Sequence, residues 1–239
     1  MNLKNKGLIV ITGASRGIGM ETALLLAAQG AELFLTYKAK ASLSQALELK
    51  KKCQDCAATA VEIAPLDVAN PIRRQGLIQA LTQSGQKLFA LINNSAVLMQ
   101  KTLDKMSEED ITLEMNTNLL GPILLTRGLL PCILSDGFVI NLGSDAGIYG
   151  RAGLANYCAT KGGLMAFTRA MAKEVPHVRF VSVNPGQTAT DMSNGQGQSP
   201  KAVAQAIVQV LTGGLDATQI NVGPVFDEEE IPSAYNYHA

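Results

Sequence analysis

Two kinds of apolar pattern alternate along the chain. Short runs that are apolar at nearly every position recur as "GLIVIT", "AELFLTY", "AVEIAPL", "KLFALIN", "GFVINL" and "VRFVSV". Such runs suit strands of a parallel sheet covered on both faces, where neither side meets water. Between them, apolar residues return at helical spacing in "GIGMETALLLAAQG", "SLSQALELKKK", "PIRRQGLIQALTQSG", "ITLEMNTNLLGPILLTRGLLPCIL" and "LANYCATKGGLMAFTRAMAKEV". Strand–helix alternation over the whole chain predicts an α/β fold: a doubly wound, mostly parallel sheet of about seven strands flanked by helices. No repeat or linker interrupts it, so residues 1–239 read as a single domain. Segment 193–200, "SNGQGQSP", reads as a flexible loop, because "KAVAQAIVQVLTGG" resumes a helix after it. The tail "GPVFDEEEIPSAYNYHA" is expected to hold one last short strand, with its acidic run, Asp227 to Glu230, as a solvated turn.

Composition narrows the partners. With 47% hydrophobic and 17% charged residues the chain can bury a large core, and 20 Lys plus Arg balance 20 Asp plus Glu. That balance gives no electrostatic case for nucleic acid or an anionic membrane surface. No apolar stretch reaches the ~18 residues of a membrane span. The N-terminal "MNLKNKGLIVITGAS" runs from a strand-length apolar segment into a glycine loop, so a cytoplasmic location is the expectation. Of the four cysteines (53, 56, 132 and 158), Cys53 and Cys56 form a CxxC. It lies on a helical pattern without a second ligand pair, and His177 and His238 are isolated, so no metal site is expected. Cys158 is read as packing.

The first strand turns into the first helix through "VITGASRGIG". Gly13, Gly17 and Gly19 allow a sharp turn and close approach of a ligand, and the helix start offers N–H groups and a positive dipole to a pyrophosphate. In the first strand–turn–helix of such a pattern, this loop points to a dinucleotide.

A second constellation lies in "GSDAGIYGRAGLANYCATKGG", residues 143–163. Lys161 follows Tyr157 by one helical turn, so both face the same way. A free tyrosine ionises near ~10 and is a poor base at neutral pH; a nearby ammonium favours its phenolate. Tyr157 can then exchange a proton with a carbonyl or alcohol oxygen, and Ser144, at the end of the fifth strand, can hydrogen-bond the same oxygen.

With these residues the chain resembles the short-chain dehydrogenase/reductase family over about residues 6–192. "TGASRGIG" matches the family's cofactor loop, with Gly13, Ser15, Arg16, Gly17, Ile18 and Gly19 as cofactor-contacting positions. "NNSA" matches its N-N-A-G, with Asn94, Ser95 and Ala96 in the cofactor's path. "NTNLLG" carries Asn118 at the family's helical Asn, and Ser144, Tyr157 and Lys161 match its catalytic spacing. "NPGQTATDM" supplies Pro185, Gly186, Thr188 and Thr190. The resemblance implies a Rossmann fold, Tyr157 as the acid/base, a Lys161 contact to the nicotinamide ribose, and a water held by Asn118 as a proton relay. It also implies Asp67 and Val68 against the adenine; the competing reading of Asp67 is an acid at a helix start.

The acid that grips an NAD ribose usually ends the second strand. Tyr37 stands there, followed by Lys38, and Arg16 lies in the glycine loop. Two cations and no carboxylate suit a 2′-phosphate, hence NADP(H), with NAD(H) as the alternative. The expected activity is interconversion of a small-molecule carbonyl and a secondary alcohol by hydride transfer. Segment 193–200 then lies on the substrate side. The competing readings are a dinucleotide-binding scaffold without turnover and a sugar-nucleotide epimerase or dehydratase, for which the stretch after Met192 is short. The tail is similar to the carbonyl-reductase-like sniffer and C-factor branch. The long helices around Asn118 and Tyr157 are the expected faces of a homodimer or homotetramer.

Overall fold

The computed structural model describes residues 2–223. Seven parallel strands form one sheet: β1 (Leu8–Ile11), β2 (Glu32–Tyr37), β3 (Ala60–Pro65), β4 (Leu88–Asn93), β5 (Ile133–Leu142), β6 (Arg179–Pro185) and β7 (Gln219–Val222), in the order β3-β2-β1-β4-β5-β6-β7. Helices α1 (Gly17–Ala27), α2 (Leu43–Cys56), α3 (Pro71–Gln83), α4 (Glu108–Met115), α5 (Gly121–Leu129), α6 (Ala146–Tyr149), α7 (Ala155–Glu174) and α8 (Pro200–Leu211) connect the strands.

The apolar strand runs serve two cores. On β1, Ile9 and Ile11 join one cluster with Ala23 and Leu26 of α1, Leu49 of α2, and Val203 and Ile207 of α8. Leu8 and Val10, alternating with them, face a second cluster holding Leu77 and Leu81 of α3 and Leu125 and Leu129 of α5. Apart from Ala23, each of these buried side chains stabilises the fold by about 1.5–3 kcal/mol relative to exposure. The connections leave β1 toward β2 on one side and, after β3, cross back to β4 on the other. That reversal opens a crevice at the strands' carboxyl ends.

Two elements depart from the sequence reading. The seventh strand is "QINV" (Gln219–Val222), just before the expected tail segment, which with Asp227 to Glu230 lies outside the described residues. The long helix expected over "ITLEMNTNLLGPILL" is broken by a π-turn, Asn116–Leu120, between α4 and α5. Tertiary contacts impose the break: a Cβ on Gly121 would stand 2.7 Å from the Val68 carbonyl, so the backbones pack directly there. Pro122, at the start of α5, has no N–H to give the Asn118 carbonyl four residues back. Segment 193–200 carries its own hydrogen bonds: Ser193 Oγ donates toward the Thr188 carbonyl at 2.6 Å, Gln198 Nε2 donates to the Val222 carbonyl at 2.7 Å, and Ser199 caps α8.

Candidate active site

The glycine loop leaves β1 into the crevice. Gly13 and Gly17 have φ of 65° and 56°, which side chains rarely adopt, and a Cβ on Gly13 would stand 2.8 Å from Ser95 Oγ. Asn94 fixes this loop. Its Nδ2 donates to the carbonyls of Thr12 (2.8 Å) and Gly13 (3.0 Å), while Thr12 Oγ1 accepts the N–H groups of Asn94 and Ser95. The start of α1 has no side-chain cap, so its N–H groups face the crevice. A cleft open to solvent runs from there past Lys38, Asp67, Val68, Ser95 and Ala96 to Tyr157 and Lys161. An uncapped helix start beside tight glycines, ending at a Tyr–Lys pair, fits a dinucleotide.

Most of the expected cofactor positions line this cleft: Gly13, Ser15, Arg16, Gly17, Ile18, Lys38, Asp67, Val68, Asn94, Ser95, Ala96, Pro185 and Thr190. Four stand elsewhere. Tyr37 is 8% exposed, enclosed at the end of β2. Gly19 is buried against Asn94, and a Cβ there would come within 2.7 Å of its Nδ2. Gly186 and Thr188 face a second cavity. The alternative reading of Asp67 as a helix-start acid also needs correcting: Asn70 caps α3 through the Arg73 N–H, and Asp67 Oδ1 accepts from Ala69 N–H.

The cations expected to await a phosphate already have carboxylate neighbours. Arg16 pairs with Asp191 at 2.6 Å, both side chains about 70% exposed (68% and 71%). Lys38 Nζ is 3.7 Å from Asp67 Oδ2. Asp191 was not singled out from sequence; its only signal is its place directly after Thr190.

The second cavity, open to solvent, adjoins the cleft. Its walls include Ser144, Asp145, Arg151, Leu154, Tyr157, Gly186 and Met192. Tyr157 lines both spaces. Lys161, 3% exposed, donates through Nζ to the Leu142 carbonyl at 2.6 Å and stands 5.6 Å from the centroid of the Tyr157 ring. Burial lowers its amine to about 8, partly offset by the Glu114 carboxylate.

Burial raises the Tyr157 phenol above its ordinary value; the Ser144 hydrogen bond lowers it, and the charges of Asp145 and Glu114 raise it further. The expected depression by Lys161 is thus not the governing effect among the protein's own groups, because burial of the phenol dominates. Glu114, fully buried, accepts from Met99 N–H at 2.6 Å and from Asn156 Nδ2 at 2.7 Å. Asn118 is also committed: Oδ1 accepts from Val97 N–H, and Nδ2 donates to the Val97 carbonyl and Thr160 Oγ1. Its amide therefore braces the loop after β4 against α7.

Cys53 is buried and its thiol is pushed up to about 12, mainly by burial, whereas Cys56 is exposed. No group of three or more metal-ligating side chains occurs among the described residues. No helix among them is long and apolar enough to cross a membrane.

A dinucleotide cleft ending at a Ser–Tyr–Lys set beside a second cavity defines a nicotinamide-dependent oxidoreductase of the carbonyl/alcohol couple. Residues 7–201 match the family model described as short chain dehydrogenase, and the chain belongs to that family. It is 33% identical over 244 residues, covering 100% of this chain and 91% of the relative, to a 3-oxoacyl-(acyl-carrier-protein) reductase of Vibrio cholerae serotype O1. It is 31% identical over 226 residues, 85% of this chain and 86% of the relative, to an NADP-dependent 3-hydroxy acid dehydrogenase of Schizosaccharomyces pombe. Among solved structures, a short chain dehydrogenase from Burkholderia cenocepacia J2315 in complex with NADP superposes with a TM-score of 0.84 at 23% identity, over 93% of this chain and 98% of that one. A blue fluorescent protein from a metagenomic library in complex with NADPH gives 0.84 at 26%, over 92% and 97%.

Proposed function

We propose that the protein interconverts a 3-oxo acid derivative and its 3-hydroxy form, using NADP(H), with Tyr157 as the acid/base. The observation that carries this reading is that Tyr157 lies on the wall of both the dinucleotide cleft and the adjoining cavity. A proton held there reaches an oxygen in the cavity while the reacting carbon faces the cleft. When bound, the nicotinamide supplies or accepts the hydride. Tyr157 gives its phenolic proton to the carbonyl oxygen during reduction and takes one from the alcohol during oxidation. Ser144 donates its hydroxyl to the same oxygen, and Lys161 brings positive charge and a ribose contact. Asn118 serves the proton relay through its main-chain carbonyl, the group that Pro122 cannot engage.

The oxygen position is drawn from the relatives: a 3-oxoacyl reductase and a 3-hydroxy acid dehydrogenase are both named for the third carbon, counting the carboxyl carbon as the first. NADP(H) is supported by Lys38 and Arg16 on the cleft, by the NADP-dependent relative and by the NADPH-bound neighbour at 26% identity. Their exposed ion pairs are worth ~0.2–1 kcal/mol, less than the ~1.5–3 kcal/mol of a hydrogen bond to a charged phosphate, so a 2′-phosphate displaces them. The reading does not rest on the sniffer and C-factor branch, whose likeness lies in the tail. Self-association through the helices around Asn118 is supported by exposed Met115 and Leu120 on that stretch. NADPH oxidation measured with 3-oxo acids, their esters and thioesters, and simple ketones tests the proposal. Turnover of the 3-oxo compounds above simple ketones is expected. NADPH binding without turnover of any carbonyl would move the scaffold reading to the front.

A further inference from the structure

Ser144 has one hydroxyl proton, and the protein's own groups contend for it. Its Oγ accepts the Ala146 N–H at 3.2 Å and donates to Asp145 Oδ1 at 3.0 Å. The other carboxylate oxygen, Oδ2, is held by Arg151 at 2.6 Å. The side chains of Arg151 and Asp145 are only 12% and 14% exposed, and both stand on the wall of the cavity that Tyr157 lines. A carboxylate is a stronger acceptor than a neutral carbonyl. Left to itself, Asp145 would keep the Ser144 proton from the substrate oxygen and place a negative charge beside the alkoxide that develops during reduction.

We propose that Arg151 is a positioning residue of the carbonyl site: by holding Asp145 it loosens that carboxylate's grip on the Ser144 hydroxyl and frees the hydroxyl for the substrate oxygen. The proposal rests on the carbonyl–alcohol reading of the same cavity. The guanidinium draws electron density from the carboxylate through Oδ2, so Oδ1 accepts less strongly. It also cancels the charge that the growing alkoxide would meet in a largely enclosed, low-dielectric wall. The effect falls on the transition state, where the oxygen carries most charge, more than on substrate binding.

The test is a double-mutant cycle on carbonyl reduction by the full chain with NADPH, using the best substrate of the wild-type protein. Arg151→Met should lower kcat about ten- to a hundredfold, the range for one charge-assisted contact, with little change in KM. Adding Asp145→Asn to that variant should restore most of the loss, because the unpaired charge is gone. Arg151→Lys, which keeps a cation on Asp145, should stay within about fivefold of wild type, consistent with the loss of fork geometry alone. NADPH affinity and melting temperature of each variant establish that the fold is retained. An Arg151→Met loss confined to KM would mean that Arg151 binds substrate directly. A double variant as slow as Arg151→Met would mean that the ion pair is structural. Either result overturns the proposal while leaving the oxidoreductase reading standing. A wild-type protein without carbonyl turnover overturns both.

Discussion

Lys161 and Leu142 are joined by a hydrogen bond of 2.6 Å, from a buried ammonium on α7 to a main-chain carbonyl at the end of β5. The amine needed beside Tyr157 is thereby held on the sheet, in surroundings that lower it to about 8 through burial. Such a group costs stability while it serves the site. An unfolded lysine ionises near ~10.4, so between about pH 8 and that value the folded chain binds fewer protons, and stability rises with pH through that window. Lys161→Met should therefore stabilise the fold at pH 7 by up to about 3 kcal/mol less the lost hydrogen bond, and so raise the melting temperature. The gain should shrink between about pH 8 and about pH 10.4. Thermal melts across that range check it; a gain that does not change with pH would show that the amine is not buried as a cation.

The same variant should lose alcohol oxidation by at least ~100-fold near neutral pH, the lower range for impaired acid–base catalysis. The residual rate should climb with pH up to about pH 10 without levelling off, because burial holds the phenol above its ordinary value. Initial rates from about pH 6 to about pH 10 read both effects, and a profile at the wild-type level would remove Lys161 from the mechanism.

Tyr157→Phe should abolish turnover and leave NADPH bound. The ring and its packing remain, while the transferable proton is gone. A variant that retains near-wild-type rate on the best substrate would exclude Tyr157 as the acid.

NADPH should bind at least about tenfold more tightly than NADH, the equivalent of one charge-assisted contact. Lys38→Asp should move the preference toward NADH. Asp191→Asn removes the carboxylate that Arg16 meets at 2.6 Å and should tighten NADPH up to about fivefold, matching the small worth of an exposed pair. Equal titration midpoints for the two cofactors would contradict the assignment.

Glu114 should matter for stability more than its charge suggests. Glu114→Leu leaves the Met99 N–H and Asn156 Nδ2 without their acceptor. It should cost about 2–4 kcal/mol in denaturant unfolding, whereas Glu114→Gln, which keeps one acceptor, should cost about half as much. Equal losses for both would mean that the carboxylate charge, not its hydrogen bonds, is what the fold uses.

The parts legible in the sequence are those set locally. Strands such as "LIVI" and "LFALIN" face apolar residues on both sides, and that covering writes itself into every position. The glycine loop and the Tyr157–Lys161 spacing are likewise short-range. "QINV" does not stand out in the sequence because its four residues form an edge strand that is only partly covered. The π-turn hides inside a helical pattern because the close packing of Gly121 on the Val68 carbonyl comes from a distant segment, while Pro122 by itself also suits an ordinary helix start. Arg16 and Asp191 are 175 positions apart. The upward displacement of the Tyr157 phenol depends on three-dimensional burial that the Tyr–Lys spacing does not encode.

Asn94 gives the nucleotide site a kinetic character. Because one amide staples the Thr12 and Gly13 carbonyls to the end of β4, the phosphate cradle exists before any ligand arrives. Little loop entropy is then lost on association, and encounter need not wait for a rearrangement. Nucleotide capture should follow a single exponential whose rate rises linearly with concentration, leaving dissociation to set differences in affinity among nucleotides.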